Sequence, residues 1–197
     1  PMNFLIIICG LPGTGKTTLA KKLKQKLPGY AAIYQNEIRR CLGIKRMPKT
    51  QEKVLRTADY LIAEHLRKGK GVIFESGNRF SFRRQQMYGI ASSCLCRAVV
   101  LEVACSEKTS KARIRARQKI KTRDNLIGDP KNTKAYDRIR KLWEPVSVDY
   151  KYPGIDHVSY IKFDTDKNTI EKIFVSKGAA CFIKCIEKMI LNGSSSV

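Results

Sequence analysis

Residues 10–18 read Gly10-Leu11-Pro12-Gly13-Thr14-Gly15-Lys16-Thr17-Thr18. Glycines at the first, fourth and sixth places let the backbone curl so that its N–H groups point inward, a shape that suits phosphate oxygens. A helix starting at this point adds its unpaired N–H groups and the positive end of its dipole. Lys16 can then reach the β- and γ-phosphates of a nucleoside triphosphate, and the Thr17 hydroxyl can hold Mg²⁺. The spacing is that of a complete phosphate-binding loop, G-x-x-x-x-G-K-[ST], so Gly10 through Thr18 are expected to bind ATP or another NTP.

Other residues follow at intervals that could complete the chemistry. Asn36-Glu37-Ile38-Arg39 places an amide, a carboxylate and a guanidinium within one helical turn. Glu75, beside Ser76-Gly77-Asn78, offers a carboxylate that could orient a magnesium-bound water. Arg113 and Arg117 are four apart, so they share one helical face and could close on phosphates as charge accumulates. Arg39 could grip a substrate phosphate bidentately. Arg79, Arg83 and Arg84 could widen that acceptor surface. His65 and His157 are isolated and read as structural.

The elements that must position these groups alternate. Phe4-Leu5-Ile6-Ile7-Ile8-Cys9 is apolar and β-branched, as a buried strand requires, and Leu19, Leu23 and Leu27 recur on one helical face after the loop. The pattern predicts strands at 3–9, 31–34, 71–75, 98–103 and 158–163. Helices are expected at 16–27, 37–43, 50–68, 80–93, 106–119, 133–142 and 168–191. Strands alternating with helices imply a mostly parallel sheet covered on both faces, here five-stranded, with ligands at the carboxyl ends of the strands. The expected class is α/β, a three-layer sandwich. Residues 2–191 read as a single domain with an arginine-rich helical lid at about 106–142, and 192–197 as a small, polar tail.

Composition narrows the partners. The 197 residues hold 39 Lys and Arg against 17 Asp and Glu, a net charge of +22. From Lys108 to Lys141 there are thirteen basic residues and three acidic ones. Such clustering attracts polyanions, and nucleic acid is the leading partner class. No run of about 20 apolar residues occurs, so no membrane partner is expected. The first apolar run lacks the basic leader and cleavage site of a signal peptide, which points to the cytoplasm. Pro1 ahead of Met2 suggests that translation starts at Met2. Seven cysteines with no C-x-x-C pair read as thiols in a reducing compartment. A zinc site from Cys94, Cys96, Cys181 and Cys185 lacks the spacing of a zinc module.

Over residues 3–145 the ordered set resembles the P-loop kinases that include bacteriophage-type polynucleotide 5′-kinases, seryl-tRNA kinases and zeta-toxin-like enzymes. Those families carry G-x-P-G-x-G-K-[ST] after strand 1, which Gly10 to Thr17 match. After strand 2 they carry Asp-x-Ile-Arg, which Asn36 to Arg39 match except at the first residue. After strand 3 they carry Asp-x-Thr-Asn, where this chain has Glu75-Ser76-Gly77-Asn78. Arg113 and Arg117 match the R-x-x-x-R of the lid, and Trp143-Glu144-Pro145 resembles the aromatic-Glu-Pro segment behind it. The resemblance implies ATP- and Mg²⁺-dependent transfer of the γ-phosphoryl group to a hydroxyl, with Lys16, Asn36 or Glu37, Arg39, Arg113 and Arg117 as the catalytic set and Thr17 and Glu75 as the metal residues.

Two departures bear on that expectation. The resembling kinases use the aspartate after strand 2 as general base, and an amide at Asn36 cannot take a proton. Transfer by positioning alone, Glu37 as a replacement base in a register shifted by one with Arg40 as its partner, and a catalytically weakened copy all stay open. Glu75 is one methylene longer than the aspartate it replaces. The acceptor reads as a polynucleotide end or tRNA; the alternatives are a small-molecule acceptor, or a degenerate NTPase that binds nucleic acid without transfer.

Overall fold

The computed structural model describes residues 3–44, 48–119, 133–151 and 153–192. Its centre is strand β1, Phe4–Cys9, in which every residue is buried. In parallel beside it lie β3, Val72–Glu75, and β4, Arg97–Ala104. Strand β2, Ala31–Tyr34, extends the sheet beyond β3, and β5, Val158–Asp164, extends it beyond β4. The order is β2-β3-β1-β4-β5-β6.

The period of two along β1 divides the core. Leu5, Ile7 and Cys9 face one layer, where helix α3 (Pro48–Arg67) contributes Val54, Ala58, Ile62 and Leu66, and α4 (Ser81–Ser93) contributes Met87, Tyr88 and Ala91. Phe4, Ile6 and Ile8 face the other, against Leu19, Ala20 and Leu23 of α1 (Lys16–Lys26) and Ile183, Ile186 and Ile190 of α7 (Ala180–Leu191). A sheet covered on both faces has no room for polar alternation, which is why β1 is apolar throughout. The remaining helices are α2 (Gln35–Cys41), α5 (Glu107–Lys119) and α6 (Thr133–Lys141), with a 3₁₀ turn over Val146–Lys151.

The three-layer α/β architecture follows the sequence-based expectation, with one correction. The sheet has six strands, because Thr169–Phe174 forms β6, antiparallel to β5, where a helix from 168 was expected. Asn168 takes a left-handed backbone (φ 52°), and the Asp164 carboxylate accepts the N–H groups of Asp166 and Lys167, closing a tight turn. Gly178 (φ 80°) then separates β6 from α7. Ile170 and Ile173 are three apart, a helical spacing that in a strand puts them on opposite faces, and in β6 Ile170 is half-buried while Ile173 is exposed.

Among the described residues no helix is long and apolar enough to cross a membrane. All seven cysteines are free, and no cluster of three or more metal-ligating side chains occurs among the described residues. Burial pushes the Cys9 thiol well above its ordinary range.

Candidate active site

The strand ends define one edge. Tyr34, Glu75 and Ile8 stand side by side across β2, β3 and β1, so the three chains leave the sheet at the same level. Beyond that level they are bonded to one another. Gly10 N–H donates to Gly77 O at 3.5 Å, Asn78 Nδ2 to Ile8 O at 3.5 Å, and Ser76 Oγ to Gln35 Oε1 at 2.6 Å. The loop after β1, the segment after β3 and the start of α2 therefore form one continuous surface.

The loop from Gly10 to Gly15 has the backbone that its glycines allow. Gly10, Gly13 and Gly15 have φ of 143°, 84° and 100°. Space also demands glycine at two of them. A Cβ on Gly10 would lie 2.3 Å from Val103 O, and one on Gly13 2.5 Å from Ser110 O. The loop is pressed by its outer side against β4 and α5, which leaves its inner side as the concave one. Gly15 precedes the first residue of α1, Lys16, whose ammonium donates to Leu11 O at 2.8 Å. Thr14 Oγ donates to the same carbonyl at 2.9 Å. Leu11 and Pro12 are half-buried, and Thr17 and Thr18 are exposed on the first turn of α1.

Arg113 is joined to this loop. Its Nη1 donates to Thr165 Oγ at 2.9 Å and lies 3.4 Å from the carbonyl oxygens of Gly13 and Thr14. Thr165 Oγ in turn donates to Thr14 O at 3.3 Å. The next residue, Asp166, accepts from Ser106 N–H at 2.8 Å and Thr109 Oγ at 3.1 Å, capping α5. These hydrogen bonds hold its carboxyl below the usual range. The turn after β5 thus clamps α5 onto the phosphate-type loop, a contribution that sequence reasoning missed because Thr165-Asp166 carries no motif. Arg117 sits one turn further along α5, half-buried. Residues 120–132 of the expected lid lie outside the described residues.

After β2, two pairs occupy neighbouring faces of α2. Arg39, 2% exposed, donates from Nη1 to Asn36 Oδ1 at 3.1 Å and from Nη2 to Gln51 Oε1 of α3. Glu37 and Arg40 form an exposed ion pair at 3.7 Å. Glu75 is buried at the end of β3. Burial, with Glu37 and Glu75 adding their negative charge, raises the Tyr34 phenol, so both carboxylates act on this edge.

Two of the arginines expected to widen the surface turn inward instead. Arg84 is fully buried and pairs with the buried Asp149, which also accepts from Ser81 Oγ at 2.6 Å and Tyr88 OH at 2.6 Å. Arg83 pairs with Asp59 of α3. Arg83 fastens α4 to α3 and Arg84 fastens it to the 3₁₀ turn, because a guanidinium on the inward side of α4 is retained only with a carboxylate partner. Glu144 has a related role: its carboxylate accepts from Ser81 N–H at 2.6 Å, capping α4. His157 Nε2 meets Tyr88 O at 3.0 Å, in keeping with a structural role.

The arrangement fits a nucleotide with a divalent cation. The loop N–H groups could serve phosphates, and the Thr17 hydroxyl and the Glu75 carboxylate are the oxygens that could serve a cation. With no protein cluster of three ligands among the described residues, a cation such as Mg²⁺ would have to share its coordination with phosphate oxygens.

A family model described as an AAA domain matches residues 5–143. No curated protein matches the chain significantly. Among solved structures, a Chloroflexus aurantiacus protein described as a "putative kinase" shares 18% identity at a TM-score of 0.65, over 86% of this chain and 92% of that one. A polypeptide of the Pnkp1/Rnl/Hen1 RNA repair complex shares 14% at a TM-score of 0.61, over 76% of this chain and 46% of the other, so the match spans less than half of it. A gluconokinase from Sinorhizobium meliloti shares 13% at a TM-score of 0.55, over 97% and 93%. At these identities the likeness is one of fold.

Proposed function

The chain belongs to the AAA-domain family, in a P-loop kinase-like fold, and from that premise we propose that it transfers the γ-phosphoryl group of ATP to a hydroxyl at a polynucleotide end or on tRNA. The observation that carries the reading is that the segment after β3 joins its two neighbours: Gly77 O accepts from Gly10 of the glycine loop after β1, and Ser76 Oγ donates to Gln35 at the start of the helix that carries Asn36 and Arg39. They give a donor and an acceptor subsite on one edge.

In this reading the loop N–H groups from Gly10 to Thr18 and Lys16 bind the phosphates. Thr17 and Glu75 hold the divalent cation, which when bound shields the negative charge between nucleophile and phosphate. Arg39, expected to grip the acceptor, is buried and instead braces Asn36 against α3, and the Asn36 carbonyl oxygen accepts the hydrogen bond of the acceptor hydroxyl. The hydroxyl oxygen bonds to the γ-phosphorus as the bond to the β,γ-bridging oxygen breaks, and its proton passes to solvent. Asn36 orients that hydroxyl without taking the proton, and a loose transition state tolerates this because it depends mainly on positioning and charge. Arg113 fixes the loop, and Arg117 contributes charge to the phosphates in transfer.

The net charge of +22 supports a polyanionic acceptor. Exposed Lys108, Arg115, Lys119, Lys134, Arg138 and Lys141 on α5 and α6 give it a basic flank. A cytoplasmic location suits such a substrate. The Lys16→Ala variant tests the donor site: a folded protein that still transfers label from γ-labelled ATP would remove Lys16 from it.

A further inference from the structure

Residues 79–82 build a feature that the reaction described above does not use. Phe80 is extended (φ −100°, ψ 136°) immediately before α4, which brings residues 80 and 82 onto the same side. Their rings stack at 5.6 Å between centroids with 21° between planes. Arg79 lies over Phe80, its guanidinium carbon 4.5 Å from the ring centroid. The result is a column of guanidinium, ring and ring whose outer member, Phe82, is 59% exposed. A phenylalanine this open on the first turn of a helix covers no core of its own.

The charge beside the column is uncompensated. Burial, and after it the positive charge of Arg138 on α6, holds the Arg79 guanidinium below its ordinary range. Arg79 Nε is buried with no hydrogen-bond partner among the described residues. The nearby carboxylate, Glu144, is committed to Ser81 N–H, while its own N–H donates to Arg79 O at 3.0 Å and ties the end of α6 to this spot. Guanidiniums without a paired acid are a place for an anion. The column starts two residues after Gly77, whose carbonyl meets Gly10 N–H, so it borders the active edge.

We propose that Phe82, Phe80 and Arg79, with Arg138 on the neighbouring α6, bind one unpaired nucleotide of a single-stranded polynucleotide, the base stacking on the Phe82 ring and the guanidiniums attracting its phosphate. Stacking is tolerant of sequence, and neither contact requires a 2′-hydroxyl, so the site takes any base of a ribo- or deoxyribo-strand. This rests on the polynucleotide reading above and specifies where the strand runs beyond its reacting end.

The test is fluorescence anisotropy with dye-labelled eight-nucleotide DNA and RNA strands, intact or with one abasic residue placed at each position in turn. The wild-type protein should bind about tenfold more weakly when the abasic residue falls at one particular position. Phe82→Ala should bind the intact strand about tenfold more weakly and lose nothing further at that position. Arg138→Ala should weaken all strands and reduce the salt slope by about one. Equal binding by wild type and Phe82→Ala, or an unchanged abasic penalty in the variant, overturns the site. Transfer assays separate this from the broader reading. A strand phosphorylated with unchanged KM by Phe82→Ala keeps the acceptor class and removes the site. A strand bound through Phe82 but never phosphorylated keeps the site and removes the acceptor class. No binding of any strand at low salt removes both.

Discussion

Asn36 Oδ1 accepts a hydrogen bond from Arg39 Nη1 at 3.1 Å, one turn along α2. An amide therefore stands where the resembling kinases carry a carboxylate, and it keeps the pairing to arginine that a carboxylate would make. Glu37, the adjacent residue, is turned to the next face of the helix and paired with Arg40. Consecutive helical residues point about 100° apart, so the two side chains cannot exchange places without moving the helix.

Asn36→Asp should raise the phosphoryl-transfer rate. A carboxylate can both hold the acceptor hydroxyl and take its proton, and such assistance is worth about 10²–10⁴-fold. Glu37→Gln should leave the rate within about twofold, since its partner is the solvent-exposed Arg40. Single-turnover rates with both variants check this. A crippled Glu37→Gln with a silent Asn36→Asp would make Glu37 the working base.

Removing the buried Asp149 should be costly. Its carboxylate is the ion-pair partner of the fully buried Arg84 and accepts from Ser81 and Tyr88 as well. Asp149→Ala should destabilise the fold by about 3–5 kcal/mol, as expected when one partner of a buried pair is lost. Urea denaturation measures it, and a loss under about 1 kcal/mol would show that this network does not fasten α4.

Thr165→Val should loosen the clamp on the glycine loop. The change keeps the shape but removes the hydroxyl that joins Arg113 to Thr14. The KM for ATP should rise by about tenfold, the worth of one hydrogen bond to a charged group. The thermal midpoint should move little, and steady-state kinetics with varied ATP read the effect. An unchanged KM would mean that Arg113 holds the loop without Thr165.

Much of this arrangement is legible in the sequence because it rests on local rules. The glycine spacing of Gly10, Gly13 and Gly15 dictates a loop, and β-branched runs such as Ile6-Ile7-Ile8 dictate buried strands. What is not legible rests on tertiary partners. Arg84 looks like a surface cation until Asp149, 65 residues away, is brought beside it. Glu144 looks like part of a motif, and the fold shows what it does, which is to cap α4. Ile170 and Ile173 stand at a helical spacing of three, so β6 is not legible as a strand until it pairs with β5.

Binding of single-stranded nucleic acid should weaken steeply with salt. Several phosphates neutralised by the basic flank release their counterions, and affinity should fall by about 10³-fold or more between about 50 and 200 mM salt. A flat response would leave a small-molecule acceptor as the better reading.

Phosphoryl transfer to a polynucleotide is the reaction that the strand-end edge would perform. It is tested most directly by offering γ-labelled ATP and Mg²⁺ to the protein with 5′-hydroxyl DNA, 5′-hydroxyl RNA, tRNA and a pool of small metabolites in parallel, with Lys16→Ala as the control. Label should appear on at least one nucleic acid and be lost in the Lys16→Ala protein. Label on a metabolite alone, or release of inorganic phosphate with no labelled acceptor, would contradict it.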